Sequence, residues 1–185
     1  MRSFWLSVAM VFLSAIPMHA QAGKMELGIT YNWMRGNAPE GGCGCFSIHG
    51  GSIEPAWRLT QRLSLVSDIG AARAAGQDLT IVSYLAGSRF YLLPKAKPES
   101  THRSRLRPFA QLLAGGAHAT GPLSGNSNGS SNSVAVRAGG GVDFVWRRHV
   151  SLRLVQAEYM LTLFPNGDKD RQNILSLSSG VVYRF

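Results

Sequence analysis

Two short pairings in this chain have the residue types and spacing from which chemistry is built. His118 and Thr120 stand two apart, so on an extended strand the imidazole and the hydroxyl share one face. A base beside a hydroxyl begins a nucleophilic set, but a triad also needs a carboxylate to orient the ring. The next acid after His118 is Asp143, far along the chain, and nothing nearby builds an oxyanion hole. The second pairing is Cys43-Gly44-Cys45, with His49 close behind. One C-x-C supplies two ligands, short of the four of a closed zinc site. In an oxidising compartment Cys43 and Cys45 form a candidate loop disulfide or remain free thiols. Gly139-Gly140-Gly141 lacks the strand-to-helix setting of a phosphate cradle and reads as relief of crowding in a strand. The expectation is therefore no catalytic residue, no cofactor and no metal: a protein that is not an enzyme.

The elements that would position these residues begin after a leader. Met1-Arg2-Ser3 carries one side-chain charge, the chain then runs apolar from Phe4 to Ile16, and Pro17 breaks the run before Ala20-Gln21-Ala22. A basic start, a short apolar stretch and a small-x-small exit form the pattern of a cleaved secretory signal. The apolar stretch falls short of the ~20 residues of a membrane-spanning helix. Two regions are expected: a signal peptide over 1–22 and one domain over 23–185. Loss of Arg2 with the leader takes the formal charge from +9 to +8. An exported chain meets little nucleic acid, so this excess points to lipid head groups and lipopolysaccharide phosphates.

Period-two alternation dominates the chain beyond the leader. Leu27, Ile29, Tyr31 and Trp33 share one face of Lys24–Met34, and Glu26, Gly28, Thr30 and Asn32 share the other. Ser133–Trp146 and Asn173–Phe185 alternate in the same way. This is the strand signal, and helical spacing fits it poorly. Weaker segments at Phe46–Trp57, Leu63–Arg73, Leu79–Tyr91, Arg107–Ala119 and Val150–Leu161 bring the expected strands to eight. Trp57 to Leu63 and Trp146 to Val150 are tight turns, whereas Arg35–Cys45, Thr120–Asn132 and Phe164–Gln172 are longer and irregular. Leu92–Leu106 is long and basic where a short turn is expected. The fold class is all-β: an eight-stranded antiparallel up-and-down transmembrane β-barrel, with termini in the periplasm and four loops outside.

Apolar-out faces would put aromatics in two girdles. Trp57, Tyr91, Phe109, Trp146, Tyr183 and Phe185 are expected at the periplasmic rim, and Trp33, Phe46, Tyr159 and Phe164 at the outer rim. Tyr84, in mid-strand, is an exception. The other face, rich in Gly, Ser, Thr and Ala, suits the narrow interior of eight strands. Its charges need partners. A turn centred at Arg148 sets Asp143 opposite Arg153, and closure of the last strand on the first brings Arg184 to Glu26. Pro55 lacks a strand donor and Gly50-Gly51 switches the apolar face, so a bulge is expected within Gly50–Pro55.

With these features the chain resembles the outer-membrane β-barrel family that includes the membrane domain of outer-membrane protein A and the small opacity-type proteins. The most specific piece is the terminus Val181-Val182-Tyr183-Arg184-Phe185. It is similar to the C-terminal signal read by the barrel-assembly machinery, with Val181, Tyr183 and Phe185 in the signal positions. Arg107-Pro108-Phe109-Ala110 and Ala138-Gly139-Gly140-Gly141-Val142-Asp143 support it. The chain stops at the barrel, so a peptidoglycan-binding role is not implied. The resemblance implies residence in the cell outer membrane. It implies a non-catalytic structural or surface-interaction role through the extracellular loops, toward an unknown extracellular ligand. Alternative readings are an enzyme acting on lipid A or phospholipid, in which His118-x-Thr120 resembles the His-x-Ser pair of lipid A deacylases, and a soluble periplasmic ligand-binding barrel. A narrow pore is a further alternative.

Overall fold

The structure is a computed structural model that describes residues 25–37, 45–74, 79–92, 105–121, 130–164 and 171–185. The leader, Cys43 and most of the basic Leu92–Leu106 connection lie outside the described residues.

Alternating sequence becomes alternating burial because successive strand side chains point to opposite faces. Along β1 (Met25–Asn37), Glu26, Gly28, Thr30, Asn32 and Met34 are buried while Ile29 and Tyr31 are exposed. The same pattern runs through β2 (Cys45–Arg58), β3 (Leu63–Ala74), β4 (Leu79–Tyr91) and β5 (Leu106–Thr120). It continues through β6 (Ser130–Val145), β7 (Val150–Thr162) and β8 (Gln172–Arg184). Each strand pairs antiparallel with the next, and β8 pairs with β1 from Glu26↔Arg184 to Gly36↔Ile174. The sheet is a closed barrel of eight strands. Every strand has 12 or more residues, beyond the ~9–11 that a tilted strand needs to cross a bilayer.

The direction of the apolar face excludes the soluble-barrel reading. Ile29, Ile53, Leu65, Ile69, Leu112, Val134, Leu175 and Val181 stand exposed on the outside, and the charged residues Glu54, Asp68, Arg89, Arg137, Asp143 and Arg153 are buried inside. A protein dissolved in water would have this arrangement reversed. A sheet surrounded by hydrocarbon, with its backbone groups paired by closure, needs it this way round.

Two sequence expectations about strand regularity are corrected. β2 carries no bulge between Gly50 and Pro55, because its pairing with β1 keeps one register from Met25↔Trp57 to Asn37↔Cys45. Pro55 faces outward opposite Leu27, and its missing N–H shows as a gap in the β2–β3 ladder between Ile53 and Ala56 without a shift in register. The face does not switch either. Ile48, Ser52, Glu54 and Ala56 all point inward, and Ile48 looks out of phase only because the loop end of the lumen is itself apolar.

The bulge lies in β7 instead. Val142 pairs with Val155, but its neighbour Asp143 pairs with Arg153, and the β8 side shifts between Arg153 and Gln156. Leu154 and Val155 both face outward as a result, which returns Gln156 and Glu158 to the lumen.

Candidate functional site

The lumen is the best-defined set of converging functional groups, and it is built in tiers. At the end bearing the termini, Arg58, Arg107 and Arg184 from β2, β5 and β8 gather on Glu26 of β1. Arg184 Nε lies 3.1 Å from Glu26 Oε1 and Arg107 Nη1 3.7 Å, while Arg58 Nη2 donates to the same oxygen. The Tyr91 hydroxyl donates to Glu26 Oε2 at 3.0 Å, and the Arg107 guanidinium lies over the Tyr91 ring at 4.1 Å.

The middle tier is fully enclosed. Arg153 Nε donates to Asp143 Oδ1 at 2.9 Å, and Arg153 Nη1 donates to Glu54 across the barrel and to Gln156 Oε1 at 2.7 Å. Arg89 Nη2 donates to Glu54 Oε2 at 2.5 Å, and Arg89 Nε to Gln111 Oε1 at 2.7 Å. Gln111 Nε2 then donates to Glu158 Oε1 at 2.6 Å, and Glu158 faces Arg137, which bonds Asp68 Oδ1 at 3.0 Å. One chain of contacts therefore links Asp143 to Asp68 through Arg153, Glu54, Arg89, Gln111, Glu158 and Arg137. Phe109 fills the centre, its ring flanked by Arg89 at 4.6 Å and Arg153 at 4.9 Å. Glycine makes room for it: a Cβ at Gly141 would come within 2.8 Å of Phe109 Cζ.

Toward the loop end the lumen turns apolar. Met34, Ile48, Leu79, Ile81, Met160, Phe164 and Ile174 are buried there with Ala72, Ala74, Ala117, Ala119 and Ala135. The interior holds the expected small residues and paired charges, together with glutamine and large apolar side chains that the small-residue reading leaves out. The girdles are corrected. Tyr91, Phe109 and Phe164 are buried in the lumen, while Phe90, Trp146, Tyr183 and Phe185 at one rim, Tyr159 at the other, and Tyr31 and Tyr84 in mid-strand carry exposed aromatic surface. Spacing alone could not separate these, because an aromatic near a strand end satisfies either face.

His118 lies on the outward side of β5 near the loop end, with its cross-strand neighbours Val82 and Asn132. Its Nδ1 and Asn132 Oδ1 are 2.8 Å apart, and its Nε2 is 3.4 Å from the Thr120 hydroxyl. An amide occupies the place of an orienting acid, and the hydroxyl contact is at the outer limit of a hydrogen bond. No cluster of three His, Cys, Asp or Glu able to hold a metal occurs among the described residues. Val181, Tyr183 and Phe185 share the exposed face of β8, with the Tyr183 and Phe185 rings edge to face at 5.0 Å. Cys45 opens β2, and its pairing with Cys43 falls outside the described residues.

No protein-family model matches the chain. No curated protein matches it either. Solved structures do. Neisserial surface protein A is similar over 87% of this chain and 97% of its own, at 17% identity and a TM-score of 0.61. Ail, the attachment invasion locus protein of Yersinia pestis, was solved in complex with the heparin analogue sucrose octasulfate. It is similar over 89% of this chain and 100% of its own, at 14% identity and a TM-score of 0.55. The N-terminal β-barrel domain of Pseudomonas aeruginosa OprF is similar over 87% and 99%, at 18% identity and a TM-score of 0.51. At these identities the likeness is one of fold. The chain has the fold of the small eight-stranded outer-membrane β-barrels.

Proposed function

We propose that this chain is a non-catalytic barrel of the cell outer membrane, exported by the signal over 1–22, with its termini in the periplasm. Its work is done by the outer surface and the extracellular loops. The observation that carries this reading is the filled lumen: Arg89, Arg153, Tyr91, Phe164 and Ile48 are each less than 2% exposed, so ionic and apolar tiers block the axis in series. With the axis filled by these side chains among the described residues, the working surfaces are outside. Arg35, His49 and Arg73 stand exposed near the loop end of three adjacent strands, a set of groups suited to lipopolysaccharide phosphates. The complex of Ail with the heparin analogue sucrose octasulfate supports the idea that a barrel of this fold can bind a polyanion.

The test is fractionation of expressing cells, with gel mobility compared before and after boiling and lipid A profiled by mass spectrometry. Recovery in the outer membrane, a mobility shift and an unchanged lipid A profile are expected. A lipid A change lost on His118→Ala would instead establish the enzyme reading. A soluble periplasmic product without a shift would overturn the location.

A further inference from the structure

The described acids and bases are unevenly placed along the barrel axis. At the end bearing the termini, Glu26 is the one described side-chain carboxylate near the rim, and Arg58, Arg107 and Arg184 already surround it. Four more arginines, Arg62, Arg105, Arg147 and Arg148, are exposed around the same rim. Three of these fall together. The Arg105 carbonyl accepts from the Val145 N–H at 2.7 Å, which sets the start of β5 beside the β6–β7 turn that carries Arg147 and Arg148. None of the three has a carboxylate partner among the described residues. The acid closest in sequence to Arg147 and Arg148, Asp143, is buried and held by Arg153.

The surface alongside is apolar. Trp146 is 58% exposed and Leu106 47% exposed, and Phe144 is paired with Leu106 across the strands. The Arg147 guanidinium lies over the Trp146 ring at 5.6 Å. Guanidinium groups directly beyond an exposed indole and leucine reproduce the profile of a phospholipid, with its anionic head on the arginines and its acyl chain against the apolar strip. A soluble anionic polymer would use the arginines and leave the strip unused.

We infer that Arg105, Arg147 and Arg148, with Trp146 and Leu106, form a binding site for an anionic glycerophospholipid at the terminal rim. This surface lies at the opposite end of the barrel from Arg35, His49 and Arg73, and it does not depend on the loops having a ligand. The protein would select phosphatidylglycerol-type lipids from their neutral neighbours.

The test uses the mature chain refolded in phosphatidylcholine vesicles, in a Trp33→Phe/Trp57→Phe background that leaves Trp146 as the fluorophore. Brominated phosphatidylglycerol or brominated phosphatidylcholine is added as the quencher. Trp146 is expected to be quenched by the anionic lipid at roughly tenfold lower mole fraction, a conservative figure for three arginines near a head-group surface. The preference should shrink in high salt. Arg105→Gln/Arg147→Gln/Arg148→Gln should abolish it while the mobility shift on boiling, which reports the closed barrel, is retained. Equal quenching by the two lipids in the unmutated background would overturn the site. So would a preference that survives the triple change. Binding to isolated peptidoglycan that the triple change abolishes, together with equal quenching, would assign the collar to the cell wall instead.

Discussion

Arg153 lies directly opposite Asp143 on the neighbouring strand, with Nε 2.9 Å from Oδ1, and both side chains are buried. The β7 bulge at Leu154–Val155 lets Arg153 keep this partner while Gln156 also turns inward to meet it. Removing Asp143 takes one of the two carboxylates of Arg153 and leaves Glu54 to hold it, a cost below the about 3–5 kcal/mol of a buried charge left unpaired. Asp143→Ala should therefore lower the temperature at which the unboiled, compact band is lost. Asp143→Ala/Arg153→Ala should lose less than the two single changes added together. Additive losses would mean that the two residues do not interact in the folded barrel.

Glu54 has more to hold than Asp143. It accepts from Arg89, Arg153 and Gln156, and its loss takes the carboxylate from Arg89 and one of two from Arg153. Glu54→Ala is expected to be the most damaging single substitution in the lumen. Glu54→Gln should be milder, because its amide oxygen still accepts one of the bonds. Resistance of the compact band to denaturant, compared across Glu54→Ala, Glu54→Gln and Asp143→Ala, checks this order.

Tyr84 stands exposed in mid-strand, away from the rims, and Gly116 explains how its ring is accommodated. A Cβ at Gly116 would come within 2.5 Å of Tyr84 Cε2, so the ring occupies the space that a side chain on the adjacent strand would fill. Gly116→Ala should destabilise the barrel by about 1 kcal/mol, the low end for overpacking because the ring can swing outward. In a Tyr84→Ala background the same change should be neutral or stabilising, since alanine has less backbone entropy to lose than glycine. A penalty of equal size in both backgrounds would show that the ring is not what Gly116 accommodates.

The terminal face of β8 makes a different prediction. Val181, Tyr183 and Phe185 are exposed together, and the Phe185 N–H donates to the Met25 carbonyl at 3.1 Å, one bond at the end of the β1–β8 seam. Deleting Phe185 should leave a purified, refolded barrel close to wild type in heat resistance, yet reduce its recovery in the outer membrane of cells. Equal recovery would remove the assembly-signal reading. A refolding defect in vitro would make Phe185 a structural residue instead.

How far these features were legible in the sequence depends on their range. Strand parity is open to reading in β1, β6 and β8, where one face is mainly apolar and the other carries most of the polar residues. The apposition of Asp143 and Arg153 came from the centre of one turn. In β2 the parity was obscured, because Ile48 belongs to the apolar loop end of the lumen and breaks the rule that inward means polar. The Glu54 contacts with Arg89 on β4 and Arg153 on β7 join strands that are not neighbours, and no local spacing encodes a contact across a barrel. Tyr91 and Phe109 were set on the lipid side as aromatics near strand ends. The arginines that draw their rings inward come from other strands, as Arg89 and Arg153 do for Phe109.

The reach of Glu54 across the lumen also bears on how the protein enters its membrane. Arg153 and Glu54 are 99 residues apart in the chain, and they meet only when β7 has curled round to face β2. A sheet zipped from one edge but still open carries these charges uncompensated, and hydrocarbon penalises each by several kcal/mol. Charge compensation in the lumen is thus tied to closure: a sheet lacking β7 would carry Glu54 without Arg153, and the closed barrel alone satisfies both.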